Sequence, residues 1–256
     1  MNEWALEVEH LTCNYDNICA LFDVSLQVPK GQLVGVIGPN GAGKSTFIKT
    51  ILGLTPTLSG QILIDGMPIN KARAKVAWVP QKGEVDWNFP TTVLDVVVMG
   101  RYKKLGLFKN PQRADFERAD QCLDIVGLRE LKNRQISELS EGQKQRVFIA
   151  RALIQDSDIL LMDEPFSGVD QKTENILIEI LRKLKDQNKT IFIVHHDLNT
   201  IKDYFDWLII LNMRLIENGP CHEVFTQEVL EKAYGTSKSL FVEATKKQKE
   251  KLVGKI

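Results

Sequence analysis

The chain has 256 residues, with 33 Lys and Arg against 33 Asp and Glu, so its formal net charge is zero. That balance gives no global pull toward nucleic acid or anionic lipid, and 43% hydrophobic with 26% charged residues is ordinary for one large globular domain or two small ones. Cys13, Cys19, Cys122 and Cys221 show no C-x-x-C spacing, which excludes a disulfide frame or a cysteine zinc site as the expectation. No apolar run approaches the roughly 18–20 residues of a bilayer span, and Met1-Asn2-Glu3-Trp4 has no signal-peptide pattern. If a membrane matters, the chain is expected beside it.

In chain order, Trp4, Leu6 and Val8 alternate with Glu3, Glu7 and Glu9, a period-2 strand with one buried face. Leu21–Val28 repeats the pattern, with Phe22, Val24, Leu26 and Val28 predicted on one side. Between them lies Tyr15 in a polar, turn-like stretch; it could stack on a base or cover a strand end. Pro29-Lys30-Gly31 turns the chain into the apolar strand Leu33–Ile37.

Gly38-Pro39-Asn40-Gly41-Ala42-Gly43-Lys44-Ser45-Thr46 follows, and Phe47–Leu52 reads as a helix. Strand, G-x-x-x-x-G-K-S loop and helix is the context of a phosphate-binding loop. Glycines let successive backbone N–H groups turn toward an anion. The helix N-terminus adds its free N–H groups and dipole. Lys44 offers a point charge to β- and γ-phosphates, and the Ser45 hydroxyl can ligate Mg²⁺.

Gly53 and Pro56 end that helix, Gly60–Ile64 is a strand closing in the Asp65-Gly66 turn, and Val76–Val79 is a short strand stopped by Pro80. Gln81 therefore stands at a strand end, where ligand groups collect in α/β sheets. From Lys82 to about Ile136 helical signals dominate. Thr92 with Asp95 has capping-box spacing, and a second helix is predicted from about Pro111 to Val126. Lys103, Lys104, Trp87, Phe89, Tyr102 and Phe108 of this insert form either a docking face or a satellite core.

Leu139-Ser140-Glu141-Gly142-Gln143 opens a helix with Val147, Ala150 and Leu153 on one side, and Ser140 and Gly142 sit at its N-terminus, another anion site. Ile159–Met162 is an unbroken apolar strand ending in Asp163 and Glu164. Two carboxylates there need partners or work. Asp163 can reach a Mg²⁺ shell, and Glu164 can hold an attacking water. Ser167–Asp170 turns into a helix whose stripe is Ile176, Leu177, Ile180, Leu181 and Leu184. His195 and His196 end the strand Ile191–Val194; adjacent residues of an extended segment face opposite ways, so they are a poor metal pair, and one of them is predicted to sense phosphate. Trp207–Leu211 and Leu215–Gly219 read as a hairpin, and the end of the chain is a Lys-rich solvated tail.

Taken together, these motifs resemble the nucleotide-binding subunits of ABC transporters over roughly residues 4–235. The resemblance implies an α/β fold of the P-loop NTPase class, ABC type: a RecA-like core with an N-terminal antiparallel β subdomain and an α-helical subdomain. It implies one ATPase domain over 1–240, with the helical subdomain about 84–155 inserted, and a tail at 241–256. Tyr15 falls at the adenine-stacking aromatic, Gly38–Thr46 at the Walker A loop and Gln81 at the Q-loop, which touches Mg²⁺ and couples nucleotide state to the membrane partner. Leu139–Gln143 falls at the signature motif, with Ser140 and Gly142 facing phosphate and Gln143 also binding nucleotide. Asp163 and Glu164 end Walker B, with Glu164 as general base. Asp170 closes the D-loop, and His196 is the switch histidine.

Two positions depart from the pattern. The signature usually reads LSGGQ and here carries Glu141, whose carboxylate is expected to point away from the triphosphate. The D-loop usually reads SALD and here reads SGVD.

The resemblance further implies ATP and Mg²⁺ as cofactors and a head-to-tail second copy completing each ATP site. It implies a membrane permease as partner, an external metal-binding protein, no nucleic acid, and a peripheral place on the cytoplasmic face of the membrane. The stretches Val79–Gln81, Val85–Val93 and Val98–Tyr102 resemble the ATPases of manganese, zinc and iron uptake systems; another ABC importer or an exporter is the alternative.

Overall fold

The computed structural model describes residues 3–15, 18–81, 89–106 and 109–235. Trp87, Phe108, the segment 85–88, the tail at 241–256 and the side chains of Tyr15 and Lys103 lie outside the described residues. The elements run β1 Trp4–Tyr15, β2 Ile18–Pro29, β3 Leu33–Ile37, α1 Lys44–Ile51, β4 Ser59–Ile64, β5 Met67–Pro68, α2 Ile69–Ala72 and β6 Val76–Val79. They continue as α3 Val93–Val98, α4 Tyr102–Leu105, α5 Arg113–Ile125, α6 Glu141–Leu153, β7 Ile159–Asp163, α7 Gln171–Asp186, β8 Thr190–Val194 and α8 Ile201–Tyr204. The last are β9 Trp207–Asn212, β10 Arg214–Pro220, α9 Cys221–Val224 and α10 Gln227–Tyr234. Two compact units result: Met1–Arg73 with Thr190–Ile256, and Ala74–Lys189.

The first unit holds an antiparallel sheet in the order β2-β1-β4-β5. Asp65 and Gly66, both at positive φ (51° and 72°), make the two-residue turn between β4 and β5. The alternation predicted for β2 breaks at one place. Leu21 and Val24 are buried and Phe22 is exposed. Asp23 (φ 54°) inserts a bulge opposite a second one at His10 (φ 49°), which shifts the register between Val8 and Leu11. The two bulges bond to each other: the His10 ring lies 2.8 Å from Asp23 Oδ1, and the Asp23 N–H donates to Thr12 Oγ1. The displaced Phe22 ring takes the Arg214 guanidinium on its face, 4.2 Å from the centroid.

The same unit holds β3 with parallel neighbours β8 and β9, and β10 antiparallel to β9. Every residue of β3 and of β8 is buried, as the apolar runs predict for strands covered on both faces. The β9–β10 turn is a single residue, Met213 (φ 57°), whose carbonyl accepts from the Phe22 N–H and whose N–H donates to the Ala42 carbonyl.

The second unit pairs β6 with β7 in parallel and adds α3 to α7. Thr92 and Asp95 cap α3 reciprocally, as their spacing predicts. Asp115, buried, accepts from the Gln112 N–H at the start of α5, and Gly127 (φ 67°) follows its end. All four cysteines are free thiols, and burial pushes Cys122 and Cys221 up to about 11. No helix among the described residues is long and apolar enough to cross a membrane.

Candidate functional site

In the first unit the glycine loop begins where β3 ends. Gly38 is buried at φ 151°, and a Cβ there would lie 2.0 Å from the Leu211 carbonyl oxygen. Gly43, at φ 90°, caps α1, and a Cβ on it would lie 2.5 Å from the Ala20 carbonyl oxygen. The loop therefore hugs β2 and β9 so closely that only glycine fits at its two ends. Ala42 is buried between them, and Pro39, Asn40 and Gly41 span the outer bend.

No side chain caps α1, and its first turn has no acidic residue. An anion is thus the natural complement of its dipole. Lys44, itself buried, folds back so that its Nζ donates to the carbonyls of Gly38 (2.8 Å) and Pro39 (2.9 Å). Its ammonium is held at the lip of the loop it follows. Ser45 is exposed in the first turn of α1, with Thr46 next to it.

At the end of β8 the two histidines separate. His195 is 4% exposed, with Nε2 2.7 Å from Thr200 Oγ1 and Phe205 against its ring. Burial, aided by the neighbouring His196, pulls it down to about 4 against the opposing pull of Asp197. His196 is exposed, and its ring stacks on His195 with centroids 6.0 Å apart. Asp197 is occupied locally, accepting from the Asn199 N–H and side-chain amide.

In the second unit β7 is buried throughout and delivers Asp163, 4% exposed, followed by Glu164. Glu164 holds a left-handed backbone (φ 48°), an uncommon conformation for a residue with a long side chain. The Gln81 amide, at the end of β6, donates to Glu164 Oε2 at 3.2 Å. Two residues that sequence placed 83 positions apart thus meet.

Asp170 caps α7: its carboxylate accepts from the Thr173 N–H and hydroxyl, both at 2.9 Å, and these bonds hold it below the usual carboxylate range. Ser140 and Gln143 cap α6 reciprocally. The Gln143 side chain accepts from the Ser140 N–H at 2.9 Å, and Ser140 Oγ from the Gln143 N–H at 3.4 Å. The S-x-x-Q spacing of this box is a signal the sequence carries beside the anion interpretation.

Gly142 lies flat on α7, where a Cβ would come 2.2 Å from Thr173 Cγ2. Glu141 turns to Lys144, 3.1 Å away. Neither Lys144 nor Thr173 was singled out from sequence. The i,i+3 spacing of Glu141 and Lys144 was the available signal; the contact of Gly142 with Thr173 had none.

The donors suit a hydrolase of nucleoside triphosphates. Ser45 in the first unit and Asp163 in the second are each hard oxygen donors of the kind Mg²⁺ takes. Among the described residues no group of three or more His, Cys, Asp or Glu could hold an ion.

The ABC transporter family profile matches residues 21–167. The chain is 54% identical over 230 residues to the manganese transport system ATP-binding protein MntB of Bacillus subtilis (strain 168), covering 90% of this chain and 92% of that one. It is 47% identical over 245 residues to the zinc transport system ATP-binding protein TroB of Treponema pallidum (strain Nichols), covering 95% and 92%. Among solved structures, it matches a putative metal-chelate type ABC transporter in an inward-facing conformation with a TM-score of 0.81 at 30% identity, over 91% of this chain and 89% of that one. The ADP conformation of an ABC transporter ATP-binding cassette matches with a TM-score of 0.79 at 25% identity, over 95% and 99%. The chain belongs to the ATP-binding, ATP-hydrolysing subunits of the ABC transporter family.

Proposed function

We propose that this subunit powers the import of a transition-metal ion, manganese, zinc or iron, through a separate membrane permease on whose cytoplasmic face it sits. The observation that carries the choice of cargo is the 54% and 47% identity to manganese and zinc transport ATP-binding proteins along nearly the whole chain. An external metal-binding protein would deliver the ion to the permease. The helices of residues about 84–155 would form the insert that docks on the permease, with Phe89, Met99 and Tyr102 exposed there as apolar contacts.

In this reading the backbone of Gly38–Thr46 wraps the phosphates and Lys44 leaves the loop carbonyls for the β- and γ-phosphate oxygens. Tyr15 stacks on adenine. Ser45, Gln81 and Asp163 would hold Mg²⁺, which would supply positive charge to offset that developing on the phosphates. Glu164, oriented by the Gln81 amide, takes the proton of the attacking water as the bond to the leaving oxygen breaks. His196 senses the γ-phosphate. Ser140, Gly142 and Gln143 of a second copy close the site from the far side, and Asp170 belongs to the same two-fold contact. Catalysis is then positioning and charge stabilisation.

The test is reconstitution with the permease in vesicles, with uptake of Mn²⁺, Zn²⁺ and Fe²⁺ measured against ATP hydrolysis. ATP-dependent accumulation of one of these ions is the expected result. Hydrolysis that drives none of them would overturn the cargo assignment.

A further inference from the structure

The helical segment that carries Met99 and Tyr102 is fastened to the far end of the signature helix by two independent contacts. The first is backbone against backbone. Gly100 lies in the 3₁₀ turn Met99–Arg101, and a Cβ there would come 2.4 Å from the Arg151 carbonyl oxygen and 2.5 Å from Ile154 Cγ2. No side chain can stand between this turn and the last turn of α6.

The second contact is ionic and converges on one residue. Asp156 follows the end of α6 in a left-handed conformation (φ 54°), with its N–H bonded to the Leu153 carbonyl at 3.0 Å. Its Oδ1 accepts from Arg118 of α5 at 2.9 Å. Its Oδ2 accepts from Lys104 of α4 at 3.1 Å and lies 3.7 Å from Arg101 Nη1. Arg101 also bonds through Nε to Asp115 at 2.7 Å, the buried carboxylate that caps α5. Cations from the segment 101–104 and from α5 are thus gathered on one anion attached to α6.

The placement matters because of what stands at each end. Met99 and Tyr102, three positions apart and both exposed, share the outer face of the fastened segment. Ser140, Glu141 and Gly142 stand at the opposite end of α6, which spans about 20 Å at 1.5 Å per residue. A single well-capped helix of that length is stiff. Displacing its C-terminal turn displaces its N-terminus.

We propose that Gly100 and Asp156 form the joint through which the permease moves the signature motif. The proposal rests on the transport reading above and names positioning residues; neither touches nucleotide. Its content is that the joint transmits motion and is not only a brace.

The experiment uses the full transporter in proteoliposomes, supplied with ATP and whichever ion the wild-type complex accumulates. It reads three quantities: ATPase of the isolated subunit, ATPase in the complex, and ions moved per ATP. Asp156→Ala is expected to leave the isolated ATPase within about twofold, and to lower ions moved per ATP by about fivefold or more, the scale of typical coupling energies. Asp156→Glu should recover most of the loss. Gly100→Ala, which leaves every charge in place, should reproduce it.

Variants that move as many ions per ATP as wild type would overturn the joint. So would variants that lose isolated ATPase and transport in proportion with a lowered melting temperature, since that marks a brace. A wild-type chain whose hydrolysis ignores the permease would overturn the transport reading itself, a result the wild-type arm gives separately.

Discussion

Glu141 replaces the glycine usual at this place in the signature, and the structure gives its carboxylate a local partner in Lys144, 3.1 Å away. At that separation two unit charges attract by about 1.3 kcal/mol in bulk water and about 5 kcal/mol at an effective dielectric of 20. The Glu141 side chain is 38% exposed and that of Lys144 11% exposed, so water screens the pair strongly and its net worth sits near the lower figure, about 1 kcal/mol. A double-mutant cycle with Glu141→Gln and Lys144→Met should return a coupling energy of that size. In thermal melts this amounts to about 2–4 °C of the combined shift. The functional arm is sharper. Lys144→Met removes the cation 3.1 Å from this carboxylate, and in the proposed arrangement, with the signature of one copy at the triphosphate of another, the KM for ATP should rise about fivefold. The effect should shrink as salt is added, and Glu141→Gln in the same chain should reverse it. An unchanged KM in Lys144→Met, or a double variant as weak as the single, would refute the compensation.

Glu164→Gln should keep ATP binding and lower hydrolysis by about 10²–10⁴-fold, measured as nucleotide affinity against phosphate release; near-normal turnover would remove Glu164 from the role of base. Gly38→Ala must displace the Leu211 carbonyl, 2.0 Å from the new methyl, at a φ that L-residues avoid; loss of nucleotide binding together with a melting temperature lowered by several degrees is expected in calorimetry. His195 is held neutral down to about 4, while in the unfolded chain it takes a proton near 6.5. Its contribution is therefore complete above about pH 6.5 and is lost as pH falls toward 4, by about 3 kcal/mol in all. Urea melts of wild type and His195→Asn at pH 7.5 and 5 should show the wild type losing the larger share of its stability on acidification.

What sequence could reveal followed the range of each interaction. The strand and helix that flank the glycine loop, the Thr92 and Asp95 cap and the buried strands depend on neighbours within a few positions, and each lies where its pattern predicted. Phe22 went wrong because strand alternation assumes an unbroken pleat, and Asp23 breaks it with a left-handed residue answering His10 on the next strand. Ile176 is only half-buried and Ile178 is buried instead, because α7 turns its stripe by the width of one residue toward what covers it. The contacts of Gly142 with Thr173 and of Gly100 with Arg151 join residues 31 and 51 positions apart by the absence of a side chain. A glycine whose purpose is close approach looks the same in sequence as one in a turn.

Met213 shows how little chemistry a decisive position can require. Its main chain joins two neighbours at once, the carbonyl receiving from Phe22 of β2 and the N–H giving to Ala42 of the glycine loop. The distance between β2 and the glycine loop is thereby set by the main chain of one residue, a ruler between the two. The thioether takes no part, and the side chain is exposed. Asparagine or glycine, which adopt this backbone conformation readily, would keep the ruler intact. A valine or isoleucine, which avoid that conformation, would bend the ruler.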